Sequence, residues 1–290
     1  MNELPLSVIV PVWNGARDIE LLLRALEVQT APRERYEVLI VDNGSTDDTA
    51  DVVRRFPFAR LLHEPRAGSY AARNHAIAEA RGRFLLFTDA DCVPDPDWVA
   101  MALRLAEAHG EDCLIGGRVE LFSVGRTGRF SVRYEELTAF QQEWNLAHGK
   151  CVTANWLCAR GVLASVGNFD AALKSGGDVE CAGRIAAAGH RLVYAPELVV
   201  RHPTRASLRL LVRKRLRVTG GRWQKSGAAP SLAAMSRLML REHVEQARWM
   251  RRASTRLHEG VALVAITGVL WATAQAEMIR LGAGGKPRRA

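Results

Sequence analysis

An α/β fold built on a mostly parallel sheet is what this 290-residue chain predicts, and three observations carry the prediction. Segments of strand length, apolar runs at Leu6–Val12 and Phe84–Thr88 with strands between them at Glu37–Val41 and, shorter, at Ala59–His63, recur along the chain. Segments of helical period separate them: Ile19–Val28 sets Leu22, Leu23 and Leu26 on one face, and Ser69–Ala80 reads the same way. The runs end in turn-forming or acidic residues, Asp42-Asn43-Gly44 after the second and Asp89-Ala90-Asp91 after the fourth. Strands alternating with helices make a parallel, doubly wound sheet with helices on its faces.

Each element has a local cause. Continuous apolar runs suit strands covered on both faces. Thr46-Asp47-Asp48-Thr49 offers capping hydroxyls and first-turn acids to a helix. A further helix is expected from Asp97 to about His109, a strand near Leu114–Leu121, a helix over Asp178–Ala188 and a strand at Arg191–Tyr194. From Thr204 the alternation gives way to long arginine-rich helical stretches. Three regions are expected: 1–118 and 119–203, two halves of the α/β domain, and 204–290, a basic helical extension.

The chain carries a formal net charge of +9, which favours an anionic partner. Its five cysteines show no Cys-x-x-Cys spacing, so reduced, buried thiols of a cytosolic protein are expected. The segment Pro11-Val12-Trp13-Asn14-Gly15 lacks the dinucleotide-binding glycine fingerprint, which argues against an NAD enzyme. The basic residues have no interleaved aromatics, so nucleic acid is not an expected partner.

In parallel sheets, ligands bind beyond the carboxyl ends of the strands. That rule gathers Pro11, Trp13, Asn14, Asp42 and the Asp89-Ala90-Asp91 turn on one rim. Two carboxylates at about 4 Å repel by about 4 kcal/mol at an effective dielectric near 20. The pair therefore asks for a cation, a cationic side chain or a shared proton. Carboxylate oxygens suit Mg²⁺ or Mn²⁺.

The order of Val8-Ile9-Val10-Pro11-Val12-Trp13-Asn14, Val41-Asp42-Asn43-Gly44-Ser45, Ala72-Arg73-Asn74 and Asp89-Ala90-Asp91 resembles that of family-two glycosyltransferases with the GT-A fold. Asn155, Gly167-Asn168-Phe169-Asp170, Ser175-Gly176-Gly177-Asp178 and Arg201-His202-Pro203 extend the resemblance over about residues 6–205. The resemblance implies an inverting enzyme using Mn²⁺ or Mg²⁺ and a nucleotide-sugar donor, a UDP-sugar first, with 1–118 as the nucleotide-sugar-binding half of the GT-A domain and 119–203 as the acceptor-binding half. It implies that Asp42 meets the base, with Pro11, Trp13 and Asn14 lining the pocket. Arg73 would contact base or phosphate. Asp89 would bind ribose or metal, and Asp91 and His202 would ligate the metal. Asp178 is the candidate base that takes the proton of the acceptor hydroxyl; alternatively it is a first-turn acid favoured by the helix dipole. Gly176 and Gly177 give the backbone room near a sugar, and Trp156 or Trp144 stacks on an acceptor or packs in the core.

Arg205, Arg209, Arg213 and Arg217 recur every four residues, an amphipathic basic helix that meets anionic lipid, the diphosphate or solvent. Val261–Ala276 is uncharged but shorter than the roughly 20 residues of a comfortable span, which favours a helix lying at an interface or packed on a partner. The acceptor would be a sugar, lipid-linked or part of a surface glycan, and the site of action the cytoplasm, at the inner face of the membrane. Two other readings compete. Asp89-Ala90-Asp91-Cys92-Val93 fits the nucleophile motif of haloacid dehalogenase-type phosphatases, though three strand candidates precede it. A non-catalytic subunit of a membrane glycan assembly is the other.

Overall fold

The structure is a computed structural model and describes residues 4–123, 125, 128–225 and 231–287. In chain order the first elements are β1 (Leu4–Val12), α1 (Ala16–Glu27), β2 (Tyr36–Asp42), α2 (Thr49–Arg54), β3 (Ala59–His63), α3 (Ser69–Glu79), β4 (Gly82–Thr88) and β5 (Val93–Pro94). Then come α4 (Trp98–His109), β6 (Cys113–Phe122), α5 (Arg129–Thr138), α6 (Gln142–Ala147), β7 (Asn155–Ala159), α7 (Arg160–Ser165), α8 (Gly177–Ala187) and β8 (Arg191–Pro203). The chain closes with α9 (Leu208–Lys225), α10 (Leu232–Ala253) and α11 (Leu257–Gly282).

These elements form two units. The first comprises Met1–Glu120, Phe140–Ala172 and Gly177–His202; the second comprises Leu121–Ala139, Leu173–Gly176 and Pro203–Ala290. The second unit thus draws α5 and a four-residue strap, besides the basic extension, from the stretch expected to bind acceptor.

The strand order is β3-β2-β1-β4-β7-β6-β8-β5. β1 runs parallel to β2 and β4, and β2 parallel to β3. β7 is antiparallel to both β4 and β6, and β5 is antiparallel to β8. All seven residues of β2 are buried, as a strand covered on both faces requires. The register Val12↔Asp42↔His63 brings the carboxyl ends of three parallel strands to one edge. Near the other end of β1, the Ser7 hydroxyl donates to Glu37 Oε1 at 2.7 Å and accepts from the Gly82 amide at 2.8 Å. A Cβ on Gly82 would come within 2.3 Å of the Ser7 nitrogen, so only glycine lets β4 approach β1 so closely.

β7 was not among the expected strands. It corrects the acceptor role considered for Trp156, which is fully buried in the sheet, packed against Phe87 and Phe169, with Nε1 donating to Cys158 Sγ at 3.2 Å. Asn155 is equally buried and ties three segments together: Oδ1 accepts from Trp98 Nε1, and Nδ2 donates to the carbonyls of Arg118 and Leu198. The cysteines are free and buried, as expected.

In the second unit α5, α9 and α10 pack on α11 around Tyr134, Leu211, Met250, Leu263, Ile266 and Leu270. Met239, Ala274 and Met278 form a smaller apolar cluster with Trp223. Glu135 on α5 is completely buried and pairs with Arg205 Nη1 at 2.7 Å and Lys214 Nζ at 3.3 Å. Arg205 therefore precedes α9 and serves this cluster, a correction to its place in the expected basic helix. α11 is 26 residues long, not the 16-residue stretch from Val261 to Ala276 that was expected.

Candidate active site

The site is assembled within the first unit, at the carboxyl ends of β1, β2 and β4. Asp42 ends β2, where its Oδ1 accepts from the Ser45 amide at 2.9 Å, and Oδ2 lies 3.6 Å from His63 Nδ1. Asn43 acts as a pin: Nδ2 donates to the carbonyls of Glu64 and Arg66, and Oδ1 accepts from the Gly68 amide at 2.7 Å. Asn14 holds the same loop from the other side. Its amide donates to Ser45 Oγ at 2.9 Å, its Oδ1 accepts from the Thr46 amide at 2.7 Å, and its φ is +47°. Asn and Asp are the residues that tolerate this left-handed conformation. Pro11 is buried in β1, whereas Trp13 is exposed on the rim.

β4 delivers the two acids. Asp89 Oδ1 accepts from Arg73 Nη2 at 2.5 Å, and Asp91 Oδ2 lies 3.1 Å from His202 Nε2. Arg73 is buried on α3, and its Nε is a buried donor with no partner among the described residues. An orphaned donor beside a carboxylate rim is where a ligand oxygen fits. His202 is buried on β8 and packs at 4.6 Å, ring centre to ring centre, against Phe140.

Burial pushes the Asp89 carboxyl above its ordinary range; Arg73 opposes this, and Asp91 and Asp178 reinforce it. Asp18, in the first turn of α1, is also pushed up, by burial and then by Asp91. One field therefore links Asp18, Asp89, Asp91, Asp178, Arg73 and His202. Asp18 was missed in the sequence because a first-turn acid is explained by the helix dipole alone. Its position four residues after Asn14 is the available signal.

Asp178 stands in the first turn of α8. Its Oδ1 accepts from the Tyr70 hydroxyl at 3.1 Å and from the Val179 amide at 2.9 Å. Burial pushes the Tyr70 phenol far above its usual range and Asp178 adds to this, so Tyr70 stays protonated and donates. Gly177 departs from its expected role: a Cβ there would come within 2.7 Å of the Tyr70 ring, so the space it frees is filled by Tyr70 and not by a sugar. Gly176 lies in the second unit with φ +74°. Trp144 is half exposed and stacks on His148 at 4.0 Å.

Among the described residues no three His, Cys, Asp or Glu side chains form a ready metal cage. Asp91 offers a carboxylate, the donor that suits Mg²⁺ or Mn²⁺, with the His202 imidazole 3.1 Å from it. Mg²⁺ and its analogues typically take one or two carboxylates and complete their shell with substrate phosphates. The pair fits a metal held jointly with a diphosphate.

Residues 7–166 match the model of the family described as Glycosyl transferase family 2. This chain belongs to glycosyltransferase family 2. The family-2 enzyme is 38% identical over 224 residues to the glycosyltransferase AglE of Haloferax volcanii, covering 75% of this chain and 73% of that one. It is 29% identical over 217 residues to the pre-mycofactocin glycosyltransferase of Mycobacterium tuberculosis, spanning 70% of itself but only 43% of that relative. Among solved structures, it superimposes on the mannosyltransferase PcManGT of Pyrobaculum calidifontis, in complex with GDP-Man and Mn²⁺, with TM-score 0.59 at 24% identity, covering 98% and 87% of the two chains. It matches S. aureus TarS 1–349 in complex with UDP-GlcNAc with TM-score 0.58 at 17% identity, covering 98% and 93%. These structures share the GT-A fold with the present enzyme. The phosphatase alternative fails, since Asp89 follows the fourth strand, is tied to Arg73, and lies within the matched family region.

Proposed function

We propose that this glycosyltransferase is metal-dependent and inverting, and moves a sugar from a nucleotide-sugar donor, a UDP-sugar first, to a hydroxyl of a lipid-linked or surface glycan acceptor. The observation that carries the reading is the grouping at the strand ends of Asp89 against Arg73 Nη2 at 2.5 Å, Asp91 against His202 Nε2 at 3.1 Å, and Asp178 held by the Tyr70 hydroxyl at 3.1 Å. Such a set holds a diphosphate and a proton acceptor near one another. A structural neighbour in complex with GDP-Man and Mn²⁺ and another with UDP-GlcNAc support the donor class. UDP is preferred on the resemblance, and GDP remains the rival that a binding panel separates.

Asp42 accepts from the base, within the loop that Asn14 and Asn43 hold rigid. Arg73 would contact base or phosphate, with Asp89 holding its guanidinium through Nη2. Asp91 and His202 would hold Mn²⁺ or Mg²⁺, which when bound neutralises charge on the leaving diphosphate. Asp178 takes the acceptor hydroxyl proton as that oxygen attacks the anomeric carbon and the bond to the diphosphate breaks. Tyr70 and the Val179 amide both bond its Oδ1, which fixes the carboxylate plane. Attack opposite the leaving group inverts the anomeric centre. The enzyme works in the cytoplasm, at the inner face of the membrane.

A thermal-shift panel of UDP, GDP, CDP and dTDP, each with and without Mn²⁺, tests this on wild type and Asp91→Ala. A ligand at a hundred times its Kd stabilises the folded state by about 2.7 kcal/mol. One nucleotide should shift the melting temperature in a Mn²⁺-dependent way that Asp91→Ala abolishes. No shift with any nucleotide, or an equal shift in the variant, would sink the reading.

A further inference from the structure

Residues 203–290 hold eighteen Arg and Lys against four Asp and Glu, a net +14 in a chain whose total is +9. In the described part of this region the charge is sorted by helix. The outward side of α11 is apolar along its length: Leu257, Val261, Val264, Val269 and Ile279 are exposed by between 38% and 69%. His258, Ala265, Gly268, Ala272 and Ala276 fill the exposed positions between them, so from Val261 onward that side is without charge. At 100° per residue these positions fall in one continuous arc, about 33 Å long at 1.5 Å per residue. The acids of α11 point elsewhere. Glu277 is buried and paired with Arg280, and Glu259 pairs with Arg133 of α5. A helix face turned to water ordinarily carries the charges; here they are turned inward.

The adjoining α10 supplies the complement. Met239, His243 and Met250 point inward, while Leu240 and Val244 are exposed at 46% and 40%. Arg237, Arg241, Arg248, Arg251 and Arg252 occupy exposed positions beside them, with Glu245 the one exposed acid among them. Trp249, 41% exposed, adds the amphipathic ring that favours a membrane–water boundary. An apolar strip beside arginines matches the acyl boundary and phosphate layer of an anionic bilayer. A second copy of this chain would bring the same arginines against its own, so charge disfavours that occupant.

We propose that the outward face of α11, with the arginine side of α10, seats this unit in the plane of an anionic lipid surface. α11 is long and apolar enough to span a bilayer, but 39% of its most apolar window is buried inside the protein. Its inner side also carries Glu259 and Glu277. Both features place it along the surface and not across it.

Flotation of the full chain tests this with phosphatidylcholine vesicles and with phosphatidylcholine–phosphatidylglycerol vesicles. Wild type should float with the mixed vesicles and much less with the neutral ones. The doubles Val261→Glu/Val264→Glu and Arg241→Glu/Arg248→Glu alter exposed positions and should melt like wild type. Each should lower the floated fraction by about tenfold or more, since each basic residue near such a surface is worth about 1 kcal/mol. Failure of wild type to float, or flotation unchanged by both doubles, overturns the inference. Retention in the vesicles through an alkaline carbonate wash overturns the in-plane placement. A lipid-free dimer by light scattering, dissociated by the glutamates and without flotation, assigns the face to a second copy instead.

Discussion

The Asp89 cluster of the first unit and the Glu135 cluster of the second both hold carboxylates against arginine, yet they are balanced in opposite directions. Burial and Asp91 hold Asp89 above its ordinary range despite Arg73. Burial also pushes Glu135 up, but Lys214 and Arg205 outweigh it and hold the carboxyl below 4.5. Lys214 is drawn down to about 8, chiefly by burial, although Glu135 pulls it back up. The proposed site leaves its carboxylate under-compensated, while the Glu135 cluster, whose cations outweigh the cost of burial, holds α5 to the residues around α9.

The sharpest way to test the contrast is to remove one acid from each region. Asp178→Asn should lower turnover by about 10²–10⁴-fold while leaving the melting temperature and nucleotide-induced shift in place. Glu135→Ala should do the reverse. It strands Arg205 and Lys214, whose side chains are 22% and 32% exposed, so the loss is discounted to about 2–3 kcal/mol from the larger cost of breaking a fully buried pair. Thermal melting reads that loss, and turnover per folded molecule should be unchanged. A Glu135→Ala enzyme as stable as wild type would end the staple account.

A smaller effect goes the other way. Asp91→Asn removes one of the mutually repelling carboxylates and should raise the stability of the metal-free enzyme by about 1 kcal/mol while abolishing metal-dependent binding. A melting temperature that falls would show that the His202 contact at 3.1 Å outweighs the repulsion.

The same contrast governs what the sequence makes legible. β1, β2 and β4 are buried on both faces and read as unbroken apolar runs, and the acids at their ends mark the rim. β7 is equally buried, but its five residues carry Asn155 and Trp156, polar-tipped side chains that suggested a site. Their partners, Trp98, Arg118, Leu198 and Cys158, are distant in sequence or hidden by packing. The uncharged stretch Val261–Ala276 marks only the middle of α11, which runs from Leu257 to Gly282 and takes in Glu277 and Arg280. They pair across one turn, which lets the helix continue past them. Tyr70 as the partner of Asp178 was invisible because 108 residues separate them.

The mildest test is pH. The folded pKa of Glu135 lies below its unfolded value near 4.5, so the unfolded chain binds more protons in that window. Stability from this group is therefore fully present above about pH 4.5 and is lost as pH falls through the folded pKa. Glu135→Gln removes the titrating group but keeps the side-chain shape. Melts of wild type between about pH 6 and pH 3 should fall more steeply than those of Glu135→Gln, the two curves converging at the acid end. Parallel curves would mean that Glu135 titrates alike folded and unfolded, and that Lys214 and Arg205 do no more than offset the cost of burying it.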